Sequence, residues 1–97
     1  MIVAVLICRI DGAGKIAAVY QGGVSAAQVS KLGTGHYRVV FAASCEPSRS
    51  VALAGVSGTD AGYAVAELGD DSVHVRTHGL DGSPADHAFS LACWTAA

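Results

Sequence analysis

The chain has 97 residues, of which 52% are apolar, 6% aromatic and 14% charged, and its formal net charge is −2. This length fits one small domain, and 18 Ala and 12 Gly leave little side-chain bulk for its core. Only six Lys and Arg residues are present, so the composition excludes a basic surface for nucleic acid or anionic membranes. The low charge content indicates a surface suited to assembly.

The first predicted element is a strand that contains most of an apolar run over residues 1–8, which Arg9 and Asp11 close. The apolar run is much shorter than the roughly 20 residues of a transmembrane helix, and no basic segment typical of a signal peptide precedes it. We therefore expect neither membrane insertion nor a signal peptide. Val3, Val5 and Ile7 alternate with a second apolar set, so the strand is expected to be covered on both faces. These three residues form a candidate subunit interface.

The remaining chain has the spacing of an all-β protein. Apolar runs separated by Gly, Asp and Ser recur about every 8 to 12 residues, and no convincing helical period is present. An Asp-Gly pair in residues 11–14 and two glycines in residues 33–35 predict tight hairpins. The predicted strands are residues 3–10, 15–20, 26–32, 36–42, 50–56, 63–68, 73–78 and 88–94.

Alternation within the later strands separates inward from outward side chains. In the strand at residues 73–78 the polar face carries His74, Arg76 and His78, which form a second candidate interface. Residues 43–50 are expected to cross between two sheets. Residues 1–97 are therefore predicted to form a single antiparallel β-sandwich domain of seven or eight short strands. Its inward side chains are expected to include Tyr37, Val39, Phe41, Val73, Val75, Thr77, Phe89, Leu91 and Cys93.

The three cysteines leave two interpretations open. Cys8, Cys45 and Cys93 include no C-x-x-C pair, which argues against a zinc knuckle or a thioredoxin-type motif. In an oxidising compartment, a bridge between Cys45 and Cys93 would close a loop of about 50 residues and contribute roughly 4 kcal/mol. The alternative is three buried thiols that pack as small apolar side chains.

Three segments resemble a known kind of module: residues 35–41 (GHYRVVF), 73–77 (VHVRT) and 81–91 (DGSPADHAFSL). They are similar to small β-rich modules of actinobacterial and actinophage surface proteins, which are mostly uncharacterised. Those modules carry G-x-Y-x-V-x-F, then a strand with V-R-T, then D-x-x-G-x-x-x-D-x-x-F-x-L. The resemblance covers most of residues 32–93 and implies a β-sandwich with an interaction role.

The sequence contains no recognisable catalytic motif. There is no G-x-S-x-G elbow, and no histidine lies close in sequence to the Ser44–Cys45 pair. We therefore predict a protein that is not an enzyme and carries no cofactor. His74 and His78 are expected about 13 Å apart on one strand face, too far for a single ion. They would take part in a metal or anion site only with other strands or with symmetry mates.

These features together predict a non-enzymatic structural or interaction protein that forms a homo-oligomer, with a trimer as one candidate. The resemblance places it on a virion, as a capsid decoration or tail-fibre module, and in the host cytoplasm during assembly. Its expected partners are copies of itself and capsid or tail proteins, without nucleic acid. The alternative is an extracellular carbohydrate-binding module, in which Tyr20, Tyr63 or Trp94 forms a stacking platform for surface glycans.

Overall fold

The computed structural model describes residues 2–22, 28–40, 47–58, 61–69 and 71–96. Its regular structure is almost entirely β, with one short 3-10 helix before the fifth strand. The elements are β1 (Ile2–Ile10), β2 (Ile16–Gln21), β3 (Val29–Gly33), β4 (His36–Val40), the 3-10 helix (Pro47–Arg49), β5 (Ser50–Val56), β6 (Gly62–Leu68), β7 (Ser72–Gly79) and β8 (Phe89–Ala96). Within these described residues, no helix has the length and apolar character needed to cross a membrane.

The strands form two antiparallel sheets of four. Sheet 1 has the order β2-β1-β8-β5, and sheet 2 has the order β3-β4-β7-β6. The chain crosses between the sheets after β2, β4, β5 and β7, so the predicted crossing near residues 43–50 is present, although residues 41–46 lie outside the described part. The consecutive edge strands β5 and β6 belong to opposite sheets and lie side by side. The predicted antiparallel β-sandwich is confirmed.

The core lies between the sheets and follows the period of two in the strands. The Tyr37 and Phe89 rings meet at its centre, with centroids 5.0 Å apart. Partly buried alanines on β5 and β6 bring these edge strands close to the larger side chains. The inward residues predicted on β4, β7 and β8 are confirmed, except Phe41, which lies outside the described residues. The buried apolar core is Leu6, Cys8, Ile10, Tyr37, Val39, Val73, Val75, Phe89, Leu91 and Cys93.

Strand β1 departs from the predicted two-sided burial. It lies between β2 and β8, and its outward face carries the exposed Arg9. A register shift in the β1–β8 ladder falls just before Leu6, and Val5 packs against the core while Ile7 points outward. The prediction that Val3, Val5 and Ile7 share one interface face is therefore wrong, because the irregularity interrupts the alternation. The Val3 side chain lies outside the described residues.

Both predicted hairpins form, and each has a glycine with positive φ. In the β1–β2 turn the Asp11 carboxylate accepts the backbone N–H groups of Ala13 and Lys15, each at 2.9 Å. The positive φ falls on Gly14, at 84°, instead of within the Asp-Gly pair, because the loop is longer than a two-residue hairpin. In the β3–β4 turn the residue with positive φ is Gly35, whose φ is 64°.

One carboxylate fastens the long loop between β7 and β8 to sheet 2. Asp86 Oδ1 accepts the Gly35 backbone N–H at 2.7 Å, and its Oδ2 lies 2.6 Å from Lys31 Nζ. The Lys31 hydrogen bond, followed by the Gly35 hydrogen bond, lowers the pKa of Asp86. The buried Tyr37 hydroxyl donates to the Gly12 carbonyl at 2.8 Å. Two hairpins and the loop are thereby held together.

Candidate functional site

Four large apolar side chains are exposed on the two neighbouring edge strands β5 and β6. Their exposed fractions are 59% for Val51, 66% for Leu53, 44% for Tyr63 and 50% for Val65. They occupy every second position, while the residues between them turn toward the core. Outward positions on an edge strand of a soluble monomer are normally polar or charged. We call these four residues the β5–β6 apolar edge.

The apolar character extends from this edge across the outer face of sheet 1. In the β5–β8 ladder, Val51 pairs with Trp94 and Leu53 pairs with Ala92. Ala92 pairs in turn with Ile7 on β1. Three adjacent strands therefore present apolar side chains outward, which is the arrangement expected of a surface that another molecule covers.

A small pocket lies at one end of this face. It has a volume of about 250 Å³ and is lined by Trp94, Arg49 and hydroxyl side chains, together with neighbouring residues of β5 and β8. Within it the Ser50 hydroxyl donates to Thr95 Oγ1 at 3.0 Å. An aromatic ring beside a guanidinium and hydroxyls has the polarity of a site for a small polar ligand.

The three aromatic residues predicted as a stacking platform do not come together. Tyr20 lies on β2 and Trp94 on β8, with β1 between these two strands. Tyr63 lies on β6 in the other sheet, where its ring stacks on His78 with centroids 4.8 Å apart. The sequence places each ring on a strand, but the strand order separates them. Of the three, Trp94 lines the pocket.

The outer face of sheet 2 carries a pair of histidines in contact. His36 Nε2 lies 2.9 Å from His74 Nδ1, and the ring centroids are 5.2 Å apart. His36 is on β4 and His74 on β7, where Arg76 is the direct partner of His36. The two histidines are therefore diagonal neighbours on adjacent antiparallel strands, which is within reach of long side chains. We call them the histidine pair.

Charged groups lie beside the histidine pair on β4, β6 and β7. Arg38 lies opposite His74 and donates to Ser72 Oγ at 3.3 Å and to Asp71 Oδ1 at 3.5 Å. Glu67 on β6 is the other direct partner of His74. Burial, followed by the nearby positive charge of Arg76, lowers the pKa of His36. His36 is therefore neutral at neutral pH.

The second predicted interface, His74, Arg76 and His78, does point outward. Arg76 is exposed, whereas both histidines are half-buried because they contact neighbouring rings. The prediction considered His74 with His78 and missed His36. Alternation with the inward Tyr37 places His36 on the outward face, but only the β4–β7 register shows which outward residues meet.

The described residues contain no metal cluster of three or more His, Cys, Asp or Glu side chains. Burial raises the pKa of the Cys8 thiol to about 11, which keeps it protonated and unreactive. Cys93 is buried on the inward face of β8. Its predicted bridge partner, Cys45, lies outside the described residues, so the bridge stays a prediction.

Comparison with known proteins returns no match. No protein-family model matches the chain, no curated protein matches it, and no solved structure matches it. The resemblance to actinobacterial and actinophage modules therefore stays a prediction from sequence motifs. Any function proposed for this protein depends on the chemistry of its own surfaces.

Proposed function

We propose that the protein is a non-enzymatic structural protein that assembles with copies of itself through the β5–β6 apolar edge. The observation that carries the proposal is the exposure of Val51, Leu53, Tyr63 and Val65 on two adjacent strands. Large apolar side chains exposed on neighbouring strands mark an interaction site more often than isolated exposed residues do. The apolar outer face of sheet 1 continues it.

A second copy is the occupant that fits this chemistry. β5 carries no charged residue and β6 carries only Glu67, so a partner that presents the same edge would bury little charge. In a two-fold arrangement each copy contributes the same patch, which doubles the apolar area removed from water. Burying one Val or Leu side chain contributes about 1.5–3 kcal/mol. The three aliphatic side chains and Tyr63 are each about half exposed, so covering the exposed part in both copies contributes toward an association cost of about 4–15 kcal/mol.

The proposal also includes where this assembly acts and how many copies it contains. A capsid decoration or tail-fibre role is supported by the motif resemblance alone, and a trimer is one arrangement compatible with self-association. Both need the apolar edge to be covered by protein. Self-association is therefore the first property to measure.

The test compares two exposed leucines. Leu53 lies in the apolar edge, while Leu80, which is 78% exposed, lies in the loop after β7. We expect light scattering after size exclusion to give a multiple of the 9.7 kDa chain mass for the wild type. Leu53→Glu should shift the mass to that of a monomer, and Leu80→Glu should leave it unchanged. A monomeric wild type at high micromolar concentration would contradict the proposal.

The pocket beside Trp94 favours carbohydrate binding as a second candidate function. An aromatic ring with adjacent hydroxyls and a guanidinium can stack on a sugar and hydrogen-bond to it. We expect a glycan array to detect binding that Trp94→Ala removes and Tyr20→Ala retains, because Tyr20 lies on a different strand, away from the pocket. A silent array would remove this alternative without affecting the self-association proposal.

A further inference from the structure

The histidine pair is formed by two strands that are far apart in sequence. His36 and His74 are separated by 38 positions, and their facing nitrogens are 2.9 Å apart. Both rings are on the outer face of sheet 2, where solvent can reach their edges. Neither residue is needed for the self-association proposed above, so a role for this pair is an independent question.

We propose that His36 and His74 form a two-histidine site for a divalent transition metal of the late first row, represented here by Ni²⁺. The ligand atoms are His36 Nε2 and His74 Nδ1. Imidazole nitrogen is a preferred ligand for nickel, copper and zinc. Water molecules complete the coordination, because the described residues provide no third His, Cys, Asp or Glu side chain in metal-binding position.

The distance between the two nitrogens fits adjacent coordination positions once both rings turn, because their lone pairs must leave the hydrogen bond and converge on the metal. For metal–nitrogen bonds of about 2.0–2.1 Å, nitrogens separated by the observed 2.9 Å subtend an angle of about 90° at the metal. Such an angle is found between neighbouring ligands in octahedral and square-planar complexes. A tetrahedral ion would need the rings to separate slightly. The pair therefore favours Ni²⁺ or Cu²⁺ geometry over the tetrahedral geometry of a structural zinc site.

The protonation of the pair also suits metal binding. In the metal-free pair one imidazole donates an N–H to the other, so one facing nitrogen carries a proton. A tautomeric shift moves that proton to the other nitrogen of the same ring, and both facing nitrogens then have lone pairs for the metal. No proton has to leave the protein.

The surrounding charges set the strength of the site. Arg76 faces His36 from β7 and repels a cation, while Glu67 faces His74 from β6 and attracts one. Arg38 also faces His74, but its charge is partly neutralised by Asp71 at 3.5 Å. The repulsion by Arg76 and the attraction by Glu67 oppose each other, so the bonds from the metal to the two imidazole nitrogens are the main source of affinity. The expected site is consequently a moderate one that fills at micromolar or higher metal concentrations.

The experiment titrates NiCl₂ into the tag-free full chain by calorimetry. We expect one Ni²⁺ per chain at neutral pH. His36→Asn and His74→Asn should each weaken Ni²⁺ binding at least about tenfold. Removing a residue that only supports a metal ligand commonly lowers metal affinity by about this factor, so removing a ligand itself should have at least the same effect. His78→Asn is the matched control, because His78 lies on the same strand and face but stacks on Tyr63. The Ni²⁺ affinity of His78→Asn should equal that of the wild type.

A second measurement avoids dependence on the variants. Paramagnetic Ni²⁺ added to the wild type should perturb the ring NMR signals of His36 and His74 before those of His78 and His87. Cys45→Ser should bind as the wild type does, because the proposed site contains no thiol. The proposal is overturned if the wild type shows no saturable binding, if either His36→Asn or His74→Asn binds normally, or if His78→Asn or Cys45→Ser loses binding.

Discussion

At the scale of single residues, one exposed carboxylate connects parts of the chain that are far apart in sequence. Asp86 binds the Gly35 amide and Lys31, and its Oδ1 lies 3.4 Å from the Tyr37 hydroxyl. Tyr37 also reaches the Gly12 carbonyl. In a short turn, an Asp side chain normally binds its own backbone. The structure instead gives Asp86 partners on β3 and in the β3–β4 turn.

This arrangement predicts a pH dependence of stability. The pKa of folded Asp86 is lowered, so its stabilising contribution is complete above its unfolded pKa and is lost as pH falls through the folded pKa, below about pH 4. We expect Asp86→Asn to lower Tm by a few degrees at pH 7 and the difference from wild type to shrink below pH 4. Thermal melts across pH would measure it. Asp71→Asn, which removes a surface pair, should change Tm less. A difference independent of pH would contradict the assignment.

At the scale of elements, the β3–β4 hairpin depends on the backbone of one glycine. Gly35 has a φ of 64°, and a Cβ there would collide with the Thr77 carbonyl oxygen on β7. Gly33, in the same hairpin, has open space around its missing Cβ. The two glycines look equivalent in the sequence, but only Gly35 is required by the turn and by the approach of β7.

The hairpin therefore offers a matched pair of substitutions. We expect Gly35→Ala to destabilise the fold by about 1–3 kcal/mol, because it combines backbone strain with a steric conflict. Gly33→Ala should be neutral within about 0.5 kcal/mol, as expected of a surface change without a conflict. Chemical denaturation at equilibrium would measure both. Equal effects of the two substitutions would show that the Gly35 conformation is not required.

At the scale of the whole molecule, the sandwich encloses a small core with alanines at its margins. Partly buried Ala52, Ala54, Ala64 and Ala66 let β5 and β6 approach, and larger side chains on these strands point outward. The abundant alanine in the sequence therefore has a role in the structure, which is to let these two strands pack closely. Small residues face the core at this edge, and bulk is placed on the surface that we propose as the interface.

Cys8 reports on opening of this core. Cys8 is 1% exposed, and burial raises the pKa of its thiol to about 11. In the folded chain a reagent therefore cannot reach the thiol, and the thiol stays protonated at pH 8. We expect alkylation of Cys8 by iodoacetamide at pH 8 to be undetectable in the native protein and complete in guanidinium chloride. Peptide mass spectrometry would follow the site. Rapid native labelling would mean that β1 opens without global unfolding.

Much of the fold was predictable because its signals are local. The inward residues of β4, β7 and β8 were correctly assigned by alternation, and both hairpins by their glycines. The candidate sites were harder to predict from the sequence. The outward position of His74 was predicted, but its contact with His36 was not, because the contact depends on the β4–β7 register. The predicted grouping of Val5 with Ile7 was wrong, since an irregularity in one ladder cannot be read from alternation.

The sequence by itself determined the β class, the position of most strands and the inward faces of β4, β7 and β8. These properties follow from a period of two and from turn residues, which act over a few positions. Only the tertiary structure decided which strands are neighbours. It placed β5 beside β6, separated Tyr20 from Trp94, and brought His36 to His74. Strand order depends on the packing of all segments together, so no single stretch of sequence specifies it.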